Sequence, residues 1–186
     1  MAVDERETIR LTAPFDAETA VTLRAGQRVL LSGRVLTARD AAHQRLCERL
    51  DQHQPLPVDL TDQVIYFVGP TPARPGSPIG SAGPTTSSRM DSFTPRLLEI
   101  GLRATIGKGY RSQTVRDALR RHQAVHFSAA GGLGALLARC IKNARLLAYE
   151  DLGTEAIREL IVEDLPLIVA YDAHGAGAYP FEPQKA

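Results

Sequence analysis

The sequence predicts a mixed α/β domain, and two observations carry that expectation. The middle of the chain alternates short apolar β-rich runs with stretches of helical periodicity, the pattern of strands covered by helices. One of those runs, VIYFVGP (Val64–Pro70), is continuously apolar, β-branched and aromatic, which suits a strand buried on both faces. Paired β-rich runs flank this section, so a mixed central sheet with helices around it is expected.

The elements follow in order. ETIRLTAP (Glu7–Pro14) alternates and reads as a first strand. RVLLSG and RVLTA read as two short strands around Gly33. RDAAHQRLCERLDQ (Arg39–Gln52) has its apolar residues at helical spacing. After the VIYFVGP strand, TPARPGSPIGSAGP reads as a loop because of its Pro and Gly content. A helix is predicted from Met90 to Gly101, ended by that glycine. RATIGKG is a short strand and loop, and a further helix spans Ser112–Gln123 with Ser112 as N-cap. AVHFSAA (Ala124–Ala130) is a buried strand, and GGLGALLARCIKNA is a helix begun by glycines. AIRELIVEDLPLIVAYDAHG supplies two last strands around Asp164–Pro166. The whole chain, 1–186, is read as one domain, with 1–6 and 176–186 as loose tails.

Composition narrows the function. A chain of 186 residues buries roughly 70% of its unfolded surface and needs no disulfide or metal staple. Its 22 basic and 21 acidic residues leave a net charge of +1, which argues against a protein built to coat nucleic acid. No apolar run approaches the ~18 residues of a membrane span. The charged start, MAVDERETIRL, lacks the apolar core of a signal peptide, so a cytoplasmic protein is expected. Cys47 and Cys140 are too few and too far apart for a structural zinc site. Each falls on the apolar side of a predicted helix, beside Leu46 and Leu50 or Leu136, Leu137 and Ile141, and is expected to pack as a small hydrophobe.

The chemistry-bearing residues cluster at strand ends and helix starts. GPTTSSRMDSF (Gly83–Phe93) puts four hydroxyl residues and Arg89 at a loop-to-helix junction. One hydroxyl suffices to cap a helix, so the surplus leaves two readings: capping plus a turn, or an anion pocket made with free N–H donors. TARDAAH places Arg39 and Asp40 at a strand-to-helix turn, with Asp40 suited to the helix dipole and His43 one turn in, a structural histidine by default. IGKG holds Lys108 between Gly107 and Gly109, where the backbone can approach a ligand closely. It is no Walker A loop, because Gly101 falls one residue too early and Gly109 stands where Ser or Thr is needed. Gly131–Gly132 open a helix after a strand, for anion binding or for close packing. Arg39, Arg89 and Lys108 together make the cation set that a dicarboxylate needs: planar forks for the carboxylates and a point charge beside them.

These residues carry a resemblance. GPTTSSRMDSFTPRLLEIGL followed by IGKG, with TARDAAHQRL upstream and YEDLGTEAIRELIVEDLPLIVAYDAHG downstream, resembles the β subunit of the class I, iron–sulfur-dependent fumarases and tartrate dehydratases. The same unit is the C-terminal domain of the single-chain members. The resemblance covers about Leu23 to His174. It implies a swivelling β/β/α domain and a hydro-lyase, the reversible removal of water from a 2-hydroxy dicarboxylate. It also implies a 4Fe-4S cluster bound by a partner α subunit and not by this chain, in an α2β2 assembly, with a small dicarboxylate as substrate and neither nucleic acid nor membrane as partner. By resemblance Thr85 takes part in proton transfer, as base or as relay. Arg39, Arg89 and Lys108 bind the substrate carboxylates. Thr86, Asp91 and Asp40 stand behind them, with Thr86 and Asp91 expected to cap the helix and orient Arg89. RMDSFTPRLLEIGL reads closer to the fumarase pattern, with Asp91 where tartrate-type subunits more often carry Glu although Phe93 replaces the usual Tyr, so fumarate and L-malate are the expected pair. L-tartrate or another 2-hydroxy diacid is the alternative. A reading of another class, a non-catalytic anion-binding or assembly module, is separated from the enzyme by a neighbouring gene for a longer, cysteine-bearing partner.

Overall fold

The structure is a computed structural model, and it describes residues 8–179. Its centre is one seven-stranded sheet in the order β1-β2-β3-β4-β5-β7-β6. The strands are β1 Ile9–Ala13, β2 Arg28–Thr37, β3 Val64–Tyr66, β4 Ala104–Gly107, β5 Val125–Ser128, β6 Ile141–Ala148 and β7 Ile157–Tyr171. The first five run parallel, and β7 runs antiparallel to β2, β5 and β6. Because β7 pairs with β2 as well as β5, the strands β2, β3, β4, β5 and β7 close into a ring. The mixed sheet expected from the sequence is therefore present.

Side-chain alternation sorts the core into two layers. Val64, Tyr66 and Val68 share one apolar cluster with Val29, Ile106, Phe127, Leu165 and Val169 from the other ring strands. Ile65 and Phe67, one residue out of step, belong to the second cluster under the helices. Those helices are α2 Asp40–Asp51, α3 Thr94–Glu99 and α4 Gln113–Arg121, contributing Leu46 and Cys47, Leu97 and Leu98, and Val115 and Leu119. Two further short helices are α1, Ala17–Ala20, and α5, Gly134–Arg139. Ser112 caps α4 as expected, accepting from the Val115 N–H. Gly101, at φ +103, turns the chain out of α3.

Several boundaries differ from the sequence reading. The two runs around Gly33 form one ten-residue strand, because β2 is held by β1 on one side and β7 on the other. Gly33 itself sits at φ +101, and a Cβ there would overlap the carbonyl oxygen of Ala13. The runs around Asp164 likewise form one strand, β7, with a bulge at Asp164, whose N–H donates to Ser32 Oγ at 3.0 Å. The helix expected over Met90–Gly101 is a 3-10 turn, Ser87–Met90, followed by the short α3. The GGLGALLARCIKNA helix keeps only Gly134–Arg139; from Ile141 the chain extends as β6, because that stretch can pair along β7. Cys140 is thus the C-cap of α5, and Leu133 and Leu136 are 44% and 52% exposed rather than core. Residues 176–179 fold back on the sheet, with the Ala178 N–H donating to Ala170 O and Tyr179 OH to Ser128 Oγ. Of the expected tails, 1–6 and 180–186 lie outside the described residues.

Candidate active site

The parallel strands β2, β3, β4 and β5 present their C-terminal ends at one edge, where α/β sheets bind ligands. The GPTTSS segment is laced into that edge. The Thr85 N–H donates to Phe67 O at 2.7 Å, Lys108 N–H donates to Thr85 O at 3.2 Å, and Ser87 N–H donates to Lys108 O at 2.8 Å. Thr86 and Lys108 are paired as a parallel bridge. The hydroxyl segment thus fills the space between the ends of β3 and β4, and its backbone fixes Thr85 beside Lys108.

The four hydroxyls do not cap. Thr86 precedes the 3-10 turn and Phe93 precedes α3, and neither makes a side-chain cap hydrogen bond. The Thr85 side chain is half-buried and has no hydrogen-bond partner among the described residues. Ser87 Oγ is buried and also without a partner. Of the two readings of this junction, capping is set aside and the hydroxyl of Thr85 is left uncommitted.

Arg39 and Lys108 follow the ends of β2 and β4, and Arg89 lies in the 3-10 turn Ser87–Met90. Arg39 follows β2 and lies against Gly69 after β3; a Cβ on Gly69 would fall 2.9 Å from Arg39 Nη1. A larger residue there would have to push the guanidinium aside. Asp40 stands between two arginines. Its Oδ1 accepts from Arg89 Nε at 2.9 Å, and its Oδ2 lies 3.8 Å from Arg39 Nη2. Arg39 Nε is buried without a partner among the described residues. Lys108 is half-buried, pairs with no carboxylate among the described residues, and runs its stem along Gly131, the start of the next loop. The edge therefore gathers Arg39, Asp40 and Arg89 as one ion network and Thr85, Thr86 and Lys108 as one backbone unit.

The structure corrects the expectation for Asp91 and Thr86. Asp91 does not orient Arg89. Its Oδ1 accepts from Arg111 Nε at 2.7 Å and its Oδ2 from the Ser112 N–H at 2.7 Å, so it holds α4 instead. Thr86 touches Arg89 only through the backbone, accepting from its N–H at 3.4 Å. Asp40 takes the role assigned to both. His43 is structural as expected. Its Nδ1 donates to Arg39 O at 2.8 Å, its ring lies against Phe67 and Phe93, and burial pushes its pKa down to about 4. It is neutral and pins the chain at Arg39.

Three residues escaped the sequence. Glu155, from a 3-10 turn at Glu150–Glu155, lies 3.6 Å from Arg39 Nη2 and accepts from the Ala41 N–H at 2.9 Å. Arg111 is buried beneath the RMD segment, bonded to Asp91, to Thr94 Oγ1 at 2.6 Å and to Thr105 Oγ1 at 3.3 Å. His126 accepts from Arg111 through Nδ1, and burial lowers its pKa. Nothing in their spacing signals this. Arg111 does follow GKG by two residues, but a buried arginine and a surface one read alike.

A family model described as Fumarase C-terminus matches residues 1–181. The chain belongs to that family. Among its curated relatives, fumarate hydratase 2 of Leishmania major is 38% identical over 156 residues, 83% of this chain and 28% of that protein. The aerobic class I fumarate hydratase of Escherichia coli (strain K12) is 39% identical over 150 residues, 80% of this chain and 27% of that protein. The putative L(+)-tartrate dehydratase subunit beta of Methanocaldococcus jannaschii is 36% identical over 163 residues, 84% of both chains. The chain thus spans about a quarter of the length of the fumarate hydratases and most of the tartrate dehydratase subunit. As a member of the Fumarase C-terminus family it shares sequence with hydro-lyases of both kinds. Among the described residues no helix is long and apolar enough to cross a membrane.

Proposed function

We propose that this chain is the β subunit of an iron–sulfur hydro-lyase that interconverts fumarate and L-malate in the cytoplasm, in an α2β2 assembly. L-tartrate is the second substrate candidate. What supports the reading is one placement: Thr85, its hydroxyl without a partner among the described residues, shares a sheet edge with Arg39, Arg89 and Lys108. The subunit-length match to the tartrate dehydratase relative supports a separate partner chain. The ring closed by β7 is compatible with the swivelling β/β/α architecture that belongs to the same reading.

The residues of this chain do not fit an iron–sulfur cluster. Such a cluster takes about three or four thiolates. Cys47 sits in the helix-covered layer and Cys140 beside the ring layer, and burial pushes both thiols up. The cluster and its chemistry therefore belong to the partner in this proposal.

The work left to this chain is binding and proton handling. Arg39 and Arg89 offer planar forks to the substrate carboxylates and Lys108 a point charge. Asp40 and Glu155 hold the arginines at the edge. Thr85 holds or moves the proton on the carbon next to the departing hydroxyl. A threonine hydroxyl is a weak base near neutral pH, so Lys108, fixed next to it in the backbone ladder, supplies the positive field that favours its deprotonated form. Anaerobic co-expression with the cluster-bearing subunit, then assay on malate, fumarate and both tartrates, tests the proposal. Turnover of one of these diacids that needs both chains is expected. A complex inactive on all four, or activity of the partner unchanged by this chain, would return it to the role of an anion-binding or assembly module.

A further inference from the structure

Arg39 is seated by shape and not by bonds. Among the described residues its side chain makes no hydrogen bond: Nε is buried without a partner, and the carboxylates of Asp40 and Glu155 stand 3.8 and 3.6 Å from Nη2. Those separations are ion contacts, longer than an N–H···O bond. Arg89, by contrast, donates to Asp40 from Nε at 2.9 Å. A long side chain with no anchoring bond keeps one place only where packing leaves it no other.

The packing partner is Gly69. In the parallel register of β2 and β3, Thr37 lies beside Tyr66, so the chain leaving β2 runs alongside the chain leaving β3. A Cβ on Gly69 would stand 2.9 Å from Arg39 Nη1, 3.1 Å from its Cδ and 3.2 Å from the Thr154 carbonyl oxygen. Guanidinium and stem thus occupy the room that a side chain at 69 would need. Thr154 belongs to the 3-10 turn Glu150–Glu155, the turn that brings Glu155 to Arg39. Gly33 and Gly101 sit at positive φ, but Gly69 does not. Left-handed geometry is therefore not what calls for glycine at 69; the close approach of Arg39 is.

We propose that Gly69 is a positioning residue for Arg39: the side chain it lacks is the slot that holds the guanidinium at the sheet edge, with its donors open to a substrate carboxylate. The proposal rests on the reading of Arg39 as a carboxylate-binding residue and names what sets its geometry. A buried donor without a partner lowers stability, and a carboxylate ligand satisfies donors that the fold leaves open. Alanine at 69 meets chiefly the far end of a flexible side chain. The fold should therefore survive the change, and the loss should fall on binding.

The test uses the full chain, alone and then with the cluster-bearing subunit of the same organism, prepared anaerobically. By NMR on the chain alone, the Arg39 Nε–H is identified by its loss in Arg39→Lys. It should exchange with water about tenfold or more slowly than the Nε–H of Arg10, whose side chain is 73% exposed. Gly69→Ala should remove most of that protection while shifting the melting temperature by no more than about 4 °C. In the complex, the substrate is whichever of malate, fumarate and the two tartrates is turned over. Gly69→Ala should raise its KM about tenfold with kcat less affected. In an Arg39→Ala background it should add nothing, since no guanidinium remains to displace. An Arg39 Nε–H that exchanges as fast as that of Arg10 in the unmutated chain, or equally slowly in both proteins, overturns the proposal. So does a Gly69→Ala chain that fails to fold, because the glycine then serves the fold. If Arg39→Ala raises KM but Gly69→Ala does not, or raises it by the same factor in both backgrounds, Gly69 positions nothing and the reading of Arg39 stands. If Arg39→Ala leaves KM unchanged, or the complex turns over no diacid, that reading falls and takes the proposal with it.

Discussion

Asp40 Oδ1 accepts a hydrogen bond from Arg89 Nε at 2.9 Å, tying the first turn of α2 to the 3-10 turn 49 residues on. The same carboxylate faces Arg39, so one acidic group sets the spacing of two arginines. Asp40→Asn should therefore loosen both. The expected outcome is a KM for the diacid raised about tenfold, with kcat less affected, because the arginines bind substrate in ground and transition state alike. Stability should fall by no more than about 1 kcal/mol, since the pair is partly exposed. Unchanged kinetics would mean that Arg89 does not meet the substrate.

Thr85 separates structure from chemistry. Its side chain bonds to nothing among the described residues, while its backbone is fixed at both N–H and C=O. Thr85→Ala should melt like the unmutated protein, bind the diacid, and lose turnover by a factor of about 100 or more. Thr85→Ser should retain part of it. Exchange of the substrate C3 hydrogen with deuterated solvent reads the step directly. Exchange at the unmutated rate in Thr85→Ala would move the base to the partner.

Arg111 and Asp91 form the buried pair beneath the site, 0% and 16% exposed at the side chain. Breaking such a pair leaves an uncompensated charge. Asp91→Ala should cost about 3–5 kcal/mol in urea unfolding, and it also removes the acceptor for the Ser112 N–H. Asp91→Asn keeps an acceptor there and should cost less. A loss below about 1 kcal/mol for the alanine variant would contradict the buried network.

The buried histidines make stability depend on pH. His43 titrates near 4 in the folded chain against 6.5 for the exposed group, and His126 is shifted in the same direction, both by burial. The unfolded chain thus takes up these protons first as the pH falls. Their contribution is complete above about pH 6.5 and is lost as the pH drops from there towards 4, at up to about 1.4 kcal/mol per pH unit for each histidine. Urea unfolding between about pH 7.5 and pH 5 should show this slope, and His43→Gln should reduce it to the His126 part. Equal slopes in the two proteins would mean that His43 is charged or exposed.

The sequence by itself determined the mixed α/β class, the buried β3 run and the Ser112 cap. Those features are local: period, turn chemistry and short motifs are written in neighbouring residues. Tertiary structure decided the rest. Gly33 and Asp164 read as breaks, yet β2 and β7 run through them, because pairing on both flanks outweighs a local preference. Leu133, Leu136 and Ile141 share helical spacing, yet the chain leaves the helix at Cys140 because β7 offers an edge to pair with. Asp91 stands two residues from Arg89, yet it turns to Arg111. Asp40, 49 residues away from Arg89 in the chain, takes its place. Which carboxylate meets which arginine is fixed by where the strand ends bring them, and distance in space is not written in distance along the chain.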